Sequence, residues 1–145
     1  MKIYLGFTVA GSRSSIEAAK NILNVLKSLG HEVLTSHLVR EDAWEADRSV
    51  AHQKIFARDM NWIDQCDLFV AEVTGSSFGL GFETGYLLGA TAKKTILFFE
   101  RAAAQRISLL ITGNTHPNCA VAPYSDLHEL ADLVRKHVSA LGKNS

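Results

Sequence analysis

Short apolar runs alternate along the chain with segments whose apolar positions recur every three or four residues. Runs of the first kind have strand length, and segments of the second kind have helical spacing. In residues 14–29, for example, apolar residues at positions 16, 19, 23 and 26 would share one helix face. Ser14 and Glu17 form a capping-box pattern at the start of this segment, and Gly30 is a typical residue just past a helix end.

The pattern predicts five strands in alternation with helices. The strands are expected at residues 3–7, 31–36, 67–74, 95–99 and 119–122, and the helices at 14–29, 50–63, 82–90, 105–111 and 125–141. This alternation predicts one α/β domain over residues 1–145, with a doubly wound, flavodoxin-like or Rossmann-like parallel five-stranded sheet and helices on both faces. Residues 38–49 are expected to be irregular, either as a flap or as a disordered connection.

Composition and charge narrow the class of protein. The 145 residues are 47% hydrophobic, and 15 basic and 15 acidic residues give a formal net charge of zero. This balance argues against nucleic acid polymers or a membrane surface as partners, although it allows a small anionic ligand. Because no apolar run is long enough for a membrane span or a signal peptide, the cytoplasm is the expected location. Cys66, Cys119 and the scattered histidines lack metal-ligand spacing, so we expect neither a metal nor an organic cofactor.

The loop after the first strand is a candidate phosphate site. Ligands of open α/β sheets bind beyond the carboxyl ends of the strands. This loop offers backbone N–H groups, hydroxyls, a glycine and an arginine at the start of a helix, in the order Phe7-Thr8-Val9-Ala10-Gly11-Ser12-Arg13-Ser14. Such a segment suits an anion. It lacks the dinucleotide-binding and P-loop glycine patterns, so a simple strand-to-helix turn is an equally good interpretation.

The loop after the third strand is rich in glycine and leads to an acidic residue. Its glycines allow a close approach to a ligand, and Ser77 can donate a hydrogen bond to an anion. Glu83 is expected in the first turn of the following helix, where the helix dipole favours the ionised carboxylate that a nucleophile needs. The alternative is that Glu83 only complements the dipole on a solvated surface.

A second carboxylate, Asp59, is expected on or beside the apolar stripe of Phe56, Met60 and Ile63. At the edge of that stripe it would only be solvated, whereas facing the cleft it could act as an acid. Two carboxylates in one cleft suit cleavage of a glycosidic bond, because one attacks the anomeric carbon and the other assists the leaving group. A phosphate loop beside them would anchor a nucleotide.

Residues 58–63, 66–74 and 77–85 closely resemble the 2'-deoxynucleoside 5'-phosphate N-hydrolases of the nucleoside 2-deoxyribosyltransferase superfamily. The likeness covers nearly the whole chain. It implies hydrolysis of the N-glycosidic bond of 2'-deoxynucleoside 5'-monophosphates, with release of the free base and 2-deoxyribose 5-phosphate. It also implies a covalent glycosyl-glutamate intermediate and a homodimer whose sites are completed across the interface.

The resemblance assigns roles to individual residues. Glu83 corresponds to the nucleophile, Asp59 to the aspartate that assists departure of the base, and Tyr4 to a tyrosine beside the nucleophile and the sugar. Ser77 and Gly79 correspond to two phosphate-loop positions, and His37 corresponds to a histidine beside the base. Ser108 corresponds to a serine that reaches the phosphate in the neighbouring subunit's site.

Ser77 and Ser108 favour phosphorylated substrates. Relatives that act on unphosphorylated nucleosides typically have an aspartate and an asparagine at these places. An aspartate ~4 Å from a phosphate dianion would repel it by a few kcal/mol at an intermediate dielectric, whereas serines add donors. The chain departs from the family at Ala10, where an arginine is usual, and we expect Arg13 to replace that charge.

Three other functions stay open. They are a nucleoside 2-deoxyribosyltransferase that exchanges bases, a ribonucleotide N-glycosidase of the CMP type, and a nucleotide sensor without turnover. Retention of both Glu83 and Asp59 argues against the sensor. The preferred base does not follow from the sequence.

Overall fold

The computed structural model describes residues 1–75 and 77–142, and its centre is a five-stranded parallel sheet. The strands are β1 (Lys2–Gly6), β2 (Glu32–Val33), β3 (Leu68–Glu72), β4 (Lys94–Glu100) and β5 (Cys119–Tyr124), in the order β2-β1-β3-β4-β5. All four pairings are parallel. This is the strand order of a doubly wound fold with its switch point between β1 and β3, so the predicted fold class is confirmed. Ser76, in the predicted glycine-rich loop, and residues 143–145 of the predicted domain lie outside the described residues.

Helices cover both faces of the sheet. They are α1 (Ile16–Ser28), α2 (Ala43–Arg48), α3 (His52–Gln65), α4 (Phe78–Ala90), α5 (Leu109–Thr112) and α6 (Leu127–Gly142), with 3-10 segments at Ser36–Val39 and Arg101–Arg106. Within residues 1–75 and 77–142, none of these helices has the length and apolar character that crossing a membrane requires.

Two apolar clusters form the core, one on each face. Successive residues of β3 alternate between them, since Leu68 and Val70 pack with α1 and α6, while Phe69 and Ala71 pack on the opposite side. Tyr4 belongs to the second cluster. The side chains at these strand positions are almost fully buried, and each large aliphatic one contributes about 1.5–3 kcal/mol of transfer free energy.

The start of helix α1 differs from the sequence prediction, whereas its end agrees with it. The predicted capping box is wrong: the N-cap residue is Ser15, and no side chain caps the helix there. The Ser15 hydroxyl instead donates to Glu72. Gly30 is confirmed as the stop, because its φ of 79° and the bonds from the Gly30 and His31 amides to the Lys27 and Leu26 carbonyls form a Schellman motif.

Three predicted segments are corrected. Residues 38–49 are not irregular, because a 3-10 turn and α2 occupy most of them and α2 buries Ala43. The predicted helix over 105–111 is two pieces, Arg101–Arg106 and α5. Strand β2 is shorter than predicted because the Thr35 hydroxyl replaces strand pairing, accepting from the Leu5 amide and donating to the Leu5 carbonyl.

Candidate active site

A cavity of about 580 Å³ opens at the carboxyl end of β1, beside the switch point between β1 and β3. This is the place and the size expected of a small-molecule site in an open α/β sheet. Its described lining comes from β1 and the loop after it, from the segment before α2, and from α2, α3 and α4, namely Tyr4, Phe7, Val9, Ala10, Leu38, Trp44, Asp47, Arg48, His52, Ile55, Asp59, Ser77, Gly79, Leu80 and Glu83.

Glu83 lies in the second turn of α4, so its predicted place in the first turn is wrong. The helix begins four residues earlier than predicted, because Ser77 is the N-cap and its side chain accepts from the Leu80 amide at 3.4 Å. The dipole effect is concentrated in the first turn. Burial is the larger influence and raises the pKa of Glu83 to about 7, with a further rise from Asp59 and opposing effects from Tyr4 and Arg58.

Tyr4 holds the Glu83 carboxyl in place. Its hydroxyl donates to Glu83 Oε1 at 2.6 Å. The tyrosine ring is almost fully buried in β1 and stacks on Phe69 with a centroid separation of 5.4 Å. Burial and the neighbouring Glu83 carboxylate raise the pKa of Tyr4, so the hydroxyl remains a proton donor at neutral pH.

Asp59 reaches the same cavity as part of a half-buried ion-pair network. Arg58 Nε donates to Asp59 Oδ1 at 2.8 Å, and Arg58 Nη1 donates to Asp47 Oδ1 at 2.9 Å. The guanidinium also lies over the Trp62 ring, 4.9 Å from its centroid. Burial lowers the pKa of Arg58, but the bonds to Asp47 and Asp59 outweigh it and the net direction is upward. The network therefore links α2 to α3 and fixes the Asp59 carboxylate at the cavity wall.

The loops after β1 and β3 touch each other at the cavity mouth. Gly75 packs so closely against Ser12 that a Cβ atom on Gly75 would overlap the Ser12 carbonyl oxygen. The Thr8 hydroxyl is buried and accepts from the Gly11 amide at 2.8 Å. Thr8 and Gly11 thus shape the first loop from within, while Val9, Ala10, Ser77 and Gly79 line the cavity. The N-terminal end of α4 is presented to the same space and suits an anion.

Arg13 is engaged with backbone carbonyls. Its Nη1 donates to the Thr8 carbonyl at 3.1 Å, and its Nη2 donates to the Leu38 and Arg40 carbonyls at 3.0 and 2.8 Å. The guanidinium also lies 5.2 Å from the centroid of Phe7. Among the described residues, Arg48 lines the cavity and Arg13 does not.

His37 and Ser108 lie outside this cavity. The His37 ring is 5.4 Å from the Trp62 ring, and burial, with Arg58, lowers its pKa. Ser108 is the N-cap of α5 and accepts from the Leu110 amide at 3.3 Å. It lines a second cavity of about 360 Å³ between α4 and α5, whose described lining includes Ser77 and Leu80 as well, so the two cavities share a wall.

Helix α2 contributes Trp44, for which the sequence left covering the base, exposure and simple packing open. It also contributes two residues that the sequence interpretation missed, Asp47 and Arg48. Trp44, Asp47 and Arg48 line the cavity, and the Arg48 guanidinium lies 5.3 Å from the Trp44 ring centroid. The available signal was the spacing of four residues between Trp44 and Arg48, which places both side chains on one helix face. His52, Ile55 and Leu38 complete this side of the cavity. In residues 1–75 and 77–142, no group of three or more His, Cys, Asp or Glu side chains is arranged to hold a metal ion.

Comparisons with known proteins agree with this architecture. The family model described as nucleoside 2-deoxyribosyltransferase matches residues 3–122. A Thermofilum pendens protein named for 2'-deoxynucleoside 5'-phosphate N-hydrolase activity is 34% identical over 129 residues, which are 89% of either chain. The 5-hydroxymethyl-dUMP N-hydrolase of Esox lucius is 31% identical, covering 99% of this chain and 100% of that protein.

A solved structure supports the fold. The Clostridium botulinum CMP N-glycosidase BcmB aligns with a TM-score of 0.68 at 21% identity, over 94% of this chain and 99% of that chain. At this identity the likeness concerns the fold alone. The family match covers most of the sequence, and the relatives align along nearly their full length. The chain therefore belongs to the nucleoside 2-deoxyribosyltransferase family.

Proposed function

We propose that this chain is an enzyme that hydrolyses the N-glycosidic bond of 2'-deoxynucleoside 5'-monophosphates. The products are the free base and 2-deoxyribose 5-phosphate. The observation on which the proposal depends is the Glu83 carboxyl, held by the Tyr4 hydroxyl at 2.6 Å in a cavity that Asp59 also lines. The N-hydrolase names of relatives that align with nearly the whole chain support the same chemistry.

In the first step, a Glu83 carboxylate oxygen attacks C1' of the sugar. The bond between C1' and the base nitrogen breaks, and its electron pair goes to the base. Asp59, protonated on Oδ2 while Oδ1 accepts from Arg58, gives its proton to the base. A glycosyl ester on Glu83 results. The Tyr4 hydroxyl positions the other carboxylate oxygen, so that the attacking oxygen has a fixed direction.

In the second step, water attacks C1' of the ester. The C1'–O bond to Glu83 breaks and regenerates the carboxylate, while the water proton returns to Asp59. The sugar keeps the hydroxyl, so one water is consumed in each cycle. An acceptor base that outcompetes water would give transfer of the sugar instead of hydrolysis. Adding a free base to the reaction and analysing the products distinguishes the two activities.

The loops after β1 and β3 are the proposed phosphate site. The Ser77 hydroxyl, the amides at the start of α4 and the backbone near Val9 and Ala10 offer hydrogen-bond donors to a phosphate. Arg13 and Arg48 are the two candidates for a cationic partner. Arg13→Ala should weaken the loop that it ties to residues 38 and 40. Arg48→Ala should raise the Michaelis constant without that structural loss, if Arg48 is the phosphate partner.

We further propose a homodimer in which Ser108 reaches the neighbouring site. The surface around Ser108 supports this, because Phe78, Leu109 and Leu110 are exposed at 103, 84 and 84% and lie in or beside the second cavity. Large exposed apolar patches of this kind are typical of interfaces. Mixing Glu83→Ala with Ser108→Ala subunits tests the sharing of sites. Glu83→Ala should be inactive, and Ser108→Ala should have a raised Michaelis constant. A mixed dimer would contain one intact site, so at low monophosphate concentration mixing should raise the rate per Ser108→Ala subunit. That rate should not change if each site is complete within one chain.

The proposed location of the enzyme is the cytoplasm. Both cysteines are free, and Cys66 is buried. Burial also raises the pKa of the Cys66 thiol, which lowers its reactivity. Free thiols fit a reducing compartment. Fractionation of cells that produce the protein tests this point.

A substrate panel tests the function. The four common deoxynucleoside monophosphates, the corresponding ribonucleotides and the unphosphorylated deoxynucleosides are incubated with the protein, and the free base is measured. Base release should be fastest with deoxynucleoside monophosphates. Glu83→Ala should abolish it, whereas the matched control Glu32→Ala, at the exposed start of β2, should not change it. Faster release from ribonucleotides or from free nucleosides would assign one of the alternative activities.

A further inference from the structure

A fully buried glutamate, Glu72, lies at the end of β3 and has no part in the proposed chemistry. Its exposure is 0%. Side chains alternate along β3, so Glu72 points with Leu68 and Val70 toward α1 and α6, away from the cavity that contains Glu83. A fully buried carboxylate is costly unless donors surround it, so its partners indicate what it does.

Four donors converge on the Glu72 carboxylate. Ser15 Oγ donates to Oε2 at 2.5 Å, and the Thr74 amide donates to Oε2 at 3.2 Å. The Thr74 hydroxyl donates to Oε1, as does the Tyr124 hydroxyl at 2.9 Å. We call this group of Glu72, Ser15, Thr74 and Tyr124 the carboxylate clasp.

The clasp joins the two loops of the proposed phosphate site. Ser15 ends the loop after β1 and is the N-cap of α1, while Thr74 begins the loop after β3 that leads to Ser77. The same loops touch directly where Gly75 packs on the Ser12 carbonyl. Tyr124 adds an anchor at the end of β5. The clasp therefore bonds the base of each loop, through Ser15 and Thr74.

We propose that Glu72 is a positioning residue that fixes the loop after β1 against the loop after β3 and thereby sets the affinity of the cavity for a phosphate group. The identity of the ligand rests on the proposed function, whereas the hydrogen bonds of the clasp do not depend on it. A carboxylate is required because it only accepts hydrogen bonds, whereas an amide would turn an NH₂ group toward two of the donors.

Hydrogen exchange tests the mechanical part without any substrate. In Glu72→Gln, amides in residues 8–15 and in residues 73–80 should exchange faster than in the parent protein. In Ser15→Ala, the increase should be confined to residues 8–15, because only that loop loses its bond. Thr35→Val is the matched control, since it removes two buried hydrogen bonds to Leu5 that involve neither loop.

Phosphate affinity tests the functional part. Titration with inorganic phosphate and with 2-deoxyribose 5-phosphate should give a dissociation constant about five- to tenfold higher in Glu72→Gln, which is the size expected from losing about one buried hydrogen bond. Thr35→Val should keep the affinity within about twofold, because its effect is on global stability. In turnover, the Michaelis constant for a monophosphate should rise with the dissociation constant while kcat changes less.

Each outcome decides the inference. Unchanged exchange in both loops of Glu72→Gln, unchanged phosphate affinity, or equal effects in Thr35→Val would overturn it. If Glu72→Gln does not fold, Ser15→Ala and Tyr124→Phe decide by the same two measurements. If the parent protein binds phosphate but releases no base from any nucleotide, the proposed function fails and the clasp is still tested by exchange and titration.

Discussion

Two glutamates lie near the carboxyl end of the sheet, one on each face, and Glu72 is fully buried whereas Glu83 is partly buried. Glu72 has four hydrogen-bond donors and no exposed surface. Glu83 accepts from Tyr4 and otherwise faces a cavity of about 580 Å³. Burial raises the pKa of both carboxyls, to about 7 for Glu83. The difference between the two sites is therefore the number of donors on the carboxylate.

That difference suits Glu72 to the proposed positioning role and Glu83 to the proposed reactive role. Four donors occupy the lone pairs of Glu72, so this group is held in place and has no oxygen left for a substrate. An incompletely paired, partly buried carboxylate such as Glu83 is unfavourable for folding, but it leaves an oxygen free for the proposed nucleophilic attack. Single substitutions can change one side of this comparison at a time.

The largest effect is expected from Glu83→Gln. An amide cannot attack C1', so kcat for base release should fall by at least ~10³-fold, the usual scale for loss of a nucleophile. Glu72→Gln should retain most of kcat, because that residue does not touch the substrate. Initial rates of base release with saturating monophosphate measure both. Comparable losses of kcat in the two variants would remove the distinction between the glutamates.

Asp59→Asn should have the next largest effect. The asparagine keeps the shape but cannot deliver a proton to the base, so kcat should fall by about 10²-fold. The loss should be larger for substrates whose base is a poor leaving group. Comparing kcat across bases of different basicity measures this dependence. A uniform loss for all bases would indicate that Asp59 only holds Arg58, with which it pairs at 2.8 Å.

Tyr4→Phe removes the hydroxyl that donates to Glu83 and should lower kcat/KM by about 30-fold, the size of a charge-assisted hydrogen bond. The Tyr4 bond lowers the pKa of Glu83 against the effect of burial, so its removal should raise that pKa above about 7. The acid limb of the kcat/KM profile should then move to higher pH. A profile at constant ionic strength measures the shift, and an unmoved limb would mean that Glu83 does not control it.

The sequence could predict the fold because the alternation of strand and helix patterns is local and strong. The parallel five-stranded sheet and the helices on both of its faces agree with the structure. The start of α4 was beyond this kind of reasoning, because Gly79 and Gly81 are typical of loops while the Ser77 cap and the packing of Leu80 make this stretch helical. Tertiary contacts outweighed local preference there.

The candidate site was predictable in its residue types but not in its contacts. Tyr4 and Glu83 are separated by 79 positions, so their hydrogen bond follows only from the folded sheet. The sequence pattern places Glu72 in a strand. Its neighbours in sequence give no sign that the Ser15 and Tyr124 hydroxyls bind its carboxylate. Family resemblance supplied the proposed roles of Glu83 and Asp59, whereas Asp47 and Arg48 required the structure.

The smallest effect concerns stability rather than activity. The pKa of Glu83 is about 7 in the folded protein and 4.5 is its ordinary value. The folded state therefore holds the proton more tightly, so this group's stabilisation is complete below pH 4.5 and is lost as the pH rises through 7. Glu83→Gln does not titrate. Its free energy of unfolding relative to the parent should rise between pH 5 and 8 by about 1–2 kcal/mol, after allowing for the partial exposure of the carboxyl.

Urea unfolding at several pH values measures this difference, since contributions from all other titrating groups cancel between the two proteins. Tyr4→Phe provides the matched comparison. Removing the donor raises the pKa of Glu83, so in that background the loss of stability should continue to higher pH. Parallel curves for Glu83→Gln and the parent would mean that the folded protein does not disfavour the Glu83 carboxylate. The contrast with Glu72 would then lie in geometry alone, because the energetic cost of leaving Glu83 incompletely paired would be absent.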